Sequence, residues 1–457
     1  MGVAKPSRTP RERNTVLVNA TTPAARFEVT VDMSGLTSRA GTALLTGLTD
    51  SIGLTSGLVE ALSVHSRKVA HEPGRIVRDL SVMLADGGDC LTDLGALRDQ
   101  GVLFGHVASV PTAYRAVERL DAQMLASIRE ARAAARAHVW GLSGVPRRTI
   151  LDIDATLLTS HSEKEGAAGT YKRGFGFHPL LCFEAATGEA LAGILRPGNA
   201  GSNTAADHIE VLDRALAQLP VGAKGPGVLV RCDSGGATHA FLDAVVERGL
   251  FFSVGFDRPG AMREACMAVP EDAWMPALDS CGRDREGAWV AELDLDLSAW
   301  PQGARAICRR ERPHPGAQLS FTDVDGHRFQ VILTNQKGTR IARLEQVHRQ
   351  RASVEDSIRC AKASGLRNLP FRAFSMNEAW LELVLLGVDL VAWARMLLLC
   401  GTDLEHCEPK RLRYRLLHVA GRIVSHARGV TLRLPRSWPW ADAMLSAFAR
   451  LRALPAG

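Results

Sequence analysis

Three carboxylates stand where the surrounding residues give them chemistry to do. Asp154 closes the β-branched and Leu-rich run RRTILDIDAT, with Asp152 two residues earlier on the same strand face. Asp233 closes a second apolar run, GVLVRCDSGG, just before Ser234-Gly235-Gly236. Strand ends are where open sheets place their sites. Asp233 either serves such a site or caps the Gly-Gly turn, and Asp152 is either a second ligand or an acid facing solvent. The third acid comes from helical spacing. His348, Arg351, Glu355, Arg359 and Lys362 are spaced 3, 4, 4 and 3. At about 100° per residue they fall within an arc of about 80°. Val347, Val354, Ile358 and Ala361 form the neighbouring apolar arc, so the polar arc borders the core. Taken alone, that helix reads as an i,i+4 salt-bridge ladder worth tenths of a kcal/mol per pair. Two strand-end aspartates and a helix glutamate on one sheet read differently, as hard oxygen donors. They suit Mg²⁺, with Mn²⁺ as a substitute. Two such ions about 3.5–4 Å apart activate an attacking oxygen and stabilise a leaving one. The reaction class is phosphoryl transfer on a phosphodiester, with the neighbouring cations gripping phosphates.

The elements that must position these acids follow from the pattern. Residues 1–37 read as a flexible basic tail. Residues 38–145 carry apolar residues at helical spacing and read as a helical domain, either DNA-binding or a small structural bundle. Within it SVPTAYRAVERLDAQML opens with Ser109 and Pro111, a helix start, and exposes Arg115 and Arg119. That helix is either a helix-turn-helix reader or part of a structural bundle. Residues 146–258 read as strand, strand, strand, helix, strand, helix, strand, with Thr187-Gly188 joining the second and third strands. Three meandering strands followed by strand–helix alternation predict an α/β fold with a mixed sheet. Residues 259–335 read as a β-rich insertion, and residues 336–400 return to the core with the Glu355 helix and a nearly all-apolar helix after it. Residues 401–457 are expected to form a basic C-terminal helical region; from Lys410 to Arg436 there is no acid.

Composition narrows the classes. The chain has 457 residues, 46% hydrophobic and 23% charged, which excludes a wholly disordered protein. Its net charge of +6 is compatible with a nucleic-acid partner without demanding one. There is no apolar run of membrane-spanning length and no apolar signal core after the first Met, so a cytoplasmic, nucleoid-associated protein is expected. Nine scattered cysteines without a CxxC pair exclude a disulfide scaffold and a zinc ribbon. No GxxxxGK[ST] or HExxH occurs.

Three motifs in order now resemble a known family: LDIDAT at 151–156, RCDSGG at 231–236 and RQRASVEDSIRCAK at 349–362. The chain resembles an insertion-sequence transposase of the Asp-Asp-Glu type with an RNase H-like core, most closely insertion-sequence family thirteen-eighty, related to family four. The similarity extends through GDCLTDLGALRDQ, VASVPTAYRAVERL and NEAWLELVLLGVDLVAW. The resemblance implies that Asp154, Asp233 and Glu355 are catalytic and bind metal. It assigns Arg351 and Lys362 to phosphates of the transposon end. The family signature begins with Tyr where this chain has His348, a residue able to donate to a phosphate or stack on a base. In similar transposases an aromatic residue of the β-insertion stacks on a flipped base. Trp289 and Trp300 are the candidates, the alternative being a core Trp. The implied partners are double-stranded DNA, both terminal inverted repeats and target, and a second copy of the chain in a synaptic homodimer. No membrane is involved. The implied activity is cut-and-paste transposition, with cleavage through a DNA hairpin. A nuclease of the same core without strand transfer, and a DNA-binding protein without catalysis, are the rival readings.

Overall fold

The structure, a computed structural model, describes residues 16–19, 26–29, 33–63, 70–160, 163–257, 260–313, 316, 323–324, 326–427, 429–455 and 457. The apolar runs of the sequence assemble into a ten-stranded mixed sheet. Its first five strands are β1 (Ile150–Ala155), β2 (Leu180–Glu184), β3 (Ala190–Ile194), β4 (Leu229–Cys232) and β5 (Phe251–Phe256), lying in the order β3-β2-β1-β4-β5. Strand β2 is antiparallel to β1 and β3, whereas β4 is parallel to β1 and β5. Connection length explains the difference. Gly188 adopts a left-handed φ of 71° and turns β2 back into β3, while a helix intervenes before β4 and again before β5, as parallel crossovers require. Every residue of β2, β3 and β4 is buried, which is why these strands read as unbroken apolar runs.

Helices cover the sheet. In chain order they are α1 (Pro73–Ala85), α2 (Val110–Glu118), α3 (Ala122–Ser143), α4 (Ala205–Gln218), α5 (His239–Glu247), α6 (Ile341–Arg349), α7 (Ser353–Ala361) and α8 (Phe374–Leu397). Pro73 opens α1 at its first turn, where its missing N–H costs nothing. Helix α8 is the predicted core helix; it packs on α1, α3 and β3. No helix among the described residues is long and apolar enough to cross a membrane. A buried ionic knot fastens α3 to α8 and to the β2–β3 turn. Arg132 Nε lies 2.6 Å from Asp389 and Arg136 Nε lies 2.9 Å from Glu189. The indoles of Trp140 and Trp393 donate to the same Glu189 at 2.7 and 2.6 Å. One hydrophobic cluster therefore runs from Ala40 to Ala447, and the N-terminal helices share the core of the sheet instead of building their own.

The β-insertion also differs from a separate appendage. Its strands β6 (Met275–Leu278), β7 (Asp284–Leu293), β8 (Arg305–Glu311) and β9 (His327–Thr334) continue the sheet in the order β6-β7-β8-β9-β5. Ala277, Ala288, Val290, Ile307 and Ile332 on these strands meet Ile341, Ala342 and Leu344 of α6 in a second small core. The C-terminal region is not wholly helical. Strands β10 (Gly421–His426) and β11 (Gly429–Arg433) form an antiparallel ribbon, and β10 also pairs with Leu36–Thr37. The expected N-terminal tail contains a short hairpin, Val16–Asn19 with Arg26–Val29; most of the rest of that tail lies outside the described residues.

Candidate active site

Register brings the two aspartates together. Arg231 on β4 stands opposite Asp152 on β1 in a parallel pairing. Asp233 follows the last residue of β4, near enough to Asp154 for its charge to act on it. Asp154 lies 2.9 Å from Arg351 Nη2. Burial raises the pKa of Asp154; Arg351 pulls it down and Asp233 pushes it up again. Asp233 caps the Gly-Gly turn, its Oδ1 accepting the Gly235 N–H at 3.0 Å. That turn passes close under β5, where a Cβ on Gly255 would lie 2.9 Å from the Ser234 nitrogen.

Arg351 is the hub of this end of the sheet. Burial opposes its charge, but Asp154 and Asp233 outweigh burial and raise its pKa. Its Nε is buried without a hydrogen-bond partner among the described residues. Two adjacent carboxylates need a cation, and Arg351 is the one that meets Asp154 here. The donor set therefore fits a hard divalent ion. The three acids are not drawn into one coordination sphere, however. Glu355, in the first turn of α7, is exposed, and its carboxylate has no hydrogen bond or ion pair among the described residues. Among those residues the one set of three candidate ligands within 4.8 Å is Asp89, Cys90 and Asp93. There Asp93 accepts the N–H groups of Asp89 and Cys90 at 2.9 and 3.1 Å, a turn-capping arrangement.

A second layer lies beneath. Asp152 is not a solvated acid: it is buried and grips Arg231 with both oxygens, each at 2.6 Å. Arg231 Nη1 also donates to the Val347 carbonyl, so the pair ties the end of α6 to β1 and β4. His348 sits against Ser253 of β5, its Nδ1 at 3.0 Å from the hydroxyl. Burial first, then Arg351 and Arg231, lower its pKa to about 3. The ring is therefore neutral at pH 7, with one nitrogen turned to Ser253. Sequence spacing missed Arg231 and Ser253. A charged residue inside the apolar run VLVRC, facing an acid inside LDID, was the available clue.

The predicted helix is also not one continuous turn of residues. A 3₁₀ turn, Gln350–Ala352, separates α6 from α7, and a kink at Ser364-Gly365 follows Lys362. Lys362 stays near the site: its Nζ donates to the Leu157 carbonyl at 3.1 Å, just beyond Asp154. Partial burial, then Arg367 and Lys172, lower its pKa. Arg359 turns away. It pairs with Asp356 at 2.9 Å and Glu408 at 2.8 Å in two exposed ion pairs. Trp289 on β7 is five strands from β1 along the sheet, its ring met by Arg310 at 5.1 Å and Arg312 at 5.6 Å. Trp300 lies against the start of the helix that follows Asp233. It stacks on His239 of α5 at 4.0 Å and abuts Phe256 at the end of β5. Arg115 and Arg119 are exposed on and just after α2, far in sequence from the acids, and the turns before α2 are broken four-residue pieces.

A mixed sheet in the order β3-β2-β1-β4-β5, with acids at the ends of β1 and β4 and a glutamate on the helix packed over β1, defines an RNase H-like chain. The family is then specific: the model for "Transposase DDE domain group 1" matches residues 21–456, and the chain belongs to that family of DNA transposases. Divalent metal is the family's general cofactor. Among solved structures, piggyBac transposase in a synaptic complex with hairpin DNA is similar at 10% identity and a TM-score of 0.42, over 82% of this chain and 78% of that one. No curated protein matches the chain.

Proposed function

We propose that this transposase excises and reinserts its element by cut-and-paste. Asp154, Asp233 and Glu355 would hold two Mg²⁺ ions, which Mn²⁺ can replace. The adjacency of Asp154 and Asp233, bridged in charge by Arg351, carries this reading. When bound, the metal supplies an activated oxygen nucleophile and neutralises charge on the leaving oxygen. The chain's own residues do the rest. The two strand ends would hold their carboxylates on one face, and Glu355 would turn in from its exposed position on α7. Arg351, released from Asp154, offers its unpartnered Nε to a phosphate of the transposon end, with Lys362 gripping the next. The ends are terminal inverted repeats, paired in a synaptic homodimer. The N-terminal helices bearing Arg115 and Arg119 would read DNA.

The test uses a labelled duplex carrying the inverted repeat that flanks the reading frame. With Mg²⁺ the wild type is expected to yield nicked, hairpin and joined products, and EDTA to abolish all three. Asp154→Asn, Asp233→Asn and Glu355→Gln should each lower cleavage by at least about a thousandfold and leave duplex binding within a few-fold, because metal ligation and backbone grip use different groups. Cleavage without joined product would favour a nuclease without strand transfer. Full activity in Glu355→Gln would remove Glu355 from the site.

A further inference from the structure

The acid-free stretch from Lys410 to Arg436 plays no part in the site described above. Its ladder pairs Arg422 on β10 directly with Arg433 on β11. Both are exposed, and neither has an ion-pair partner among the described residues. Like charges directly opposite each other destabilise a strand pair, so this ribbon keeps a repulsion that no residue of the stretch relieves. Alternation puts Val424 and Thr431 on the same face as the arginines. The opposite face carries Ile423 and Leu432, and Leu432 packs against the main core. The ribbon thus turns its apolar side inward and its cationic side out. Its outer half stands clear of the sheet: Leu36–Thr37 pairs only with Gly421 and Arg422, and Val430 is 57% exposed. Lys410, Arg411 and Arg436 are exposed as well.

The root of the ribbon is fastened beside the catalytic helix. Arg413 donates to the Ala363 carbonyl and the Ser364 hydroxyl, both at 2.9 Å, immediately after Lys362. It also donates to the Ala85 carbonyl at the end of α1 at 3.1 Å. We infer that the ribbon Gly421–Arg433 is a grip for the phosphate backbone of duplex DNA, with Arg422 and Arg433 as its contacts. The inference rests on the transposase reading and adds to it the surface that holds the DNA. Duplex DNA presents a negative charge about every 1.7 Å of its axis, and a groove about 12 Å wide that admits a two-stranded ribbon. A polyanion at that spacing lets two arginines side by side each find a phosphate. It converts the unrelieved repulsion into binding.

The experiment uses the full chain and a random-sequence duplex, with affinity followed by fluorescence anisotropy from about 50 to 200 mM salt. Losing two phosphate contacts lowers the slope of log K against log salt by about 1.8. Arg422→Ala/Arg433→Ala should therefore bind more weakly at low salt and lose about 12-fold less affinity than wild type across that range. Its melting temperature should stay level or rise, because the like-charged pair has gone. Arg422→Lys/Arg433→Lys should restore the slope. A wild-type slope in the Ala variant, or a Lys variant as weak as the Ala variant, overturns the grip. A variant that keeps duplex affinity but loses binding to polyglutamate would assign the ribbon to an acidic protein and also overturn it. A wild type that binds no duplex would sink the transposase reading itself, which separates the two failures.

Discussion

His348 offers a test of the packing beneath the site that needs no DNA. Burial, Arg351 and Arg231 bring its pKa to about 3, against the opposing pull of its hydrogen bond with Ser253. In the unfolded chain the same ring titrates near 6.5. Between those values the unfolded state binds more protons than the folded state, so stability rises with pH across the window. The contribution is complete above about pH 6.5 and is lost as pH falls toward 3. Moving from pH 7.5 to pH 5 should remove about 2 kcal/mol through this ring alone, at about 1.36 kcal/mol per pKa unit. His348→Gln keeps an amide to bond Ser253 and cannot take up the proton. Urea unfolding of both proteins at the two pH values gives the comparison. The wild type is expected to lose about 2 kcal/mol more than the variant. Equal losses would mean that the folded ring is solvated or already charged. They would refute the docking of the end of α6 onto β5.

Two further outcomes follow from the same layer and from the insertion. Asp152→Ala leaves Arg231 buried without its partner and should cost about 3–5 kcal/mol in urea unfolding, while adding Arg231→Met should recover much of it, since an apolar pair tolerates that site better than a lone charge. A loss under about 1 kcal/mol from Asp152→Ala would show that the pair does not anchor the site. Trp289→Ala removes a half-buried ring and its two arginine contacts and should cost roughly 1–3 kcal/mol, slowing nicking and later steps alike. Selective slowing of the second-strand step, relieved by an abasic nucleotide beside the cut, would instead make Trp289 a base-stacking residue.

Period and turn chemistry made the core legible. LDIDAT, LLCFE, ALAGI, LVRC and FFSVGF are short runs bounded by Gly, Pro and Thr, and each became a strand near its expected place. The Thr187-Gly188 turn and the two intervening helices also determined which neighbours are parallel. What stayed hidden was long-range pairing. Nothing in ARAICRRE or HRFQVILTN says that β9 will hydrogen-bond to β5 and carry the insertion on as the same sheet. Nor does the alternation in GRIVSHARGVTLR compete well with the helical residues around it. The ribbon is settled by its contact with Leu36–Thr37, nearly four hundred residues earlier.

The site shows the same division more sharply. Acids at strand ends can be found from one strand at a time, and Asp154 and Asp233 were. The helix side departs from the ideal 100° step on which the spacing argument relied. The 3₁₀ turn at Gln350–Ala352 lets Arg351 reach down to Asp154 while Glu355 and Arg359 face outward. A uniform helix would have treated all three alike. The distinction is energetic as well as geometric. Arg351 sits where burial penalises its charge and two carboxylates restore it, so its position is determined by partners on other elements. Arg359 finds Asp356 and Glu408 in solvent, where such a pair is worth about 0–1 kcal/mol. Spacing identifies which residues share a helix, but the strands beneath decide which of them are buried against partners and which stay in solvent.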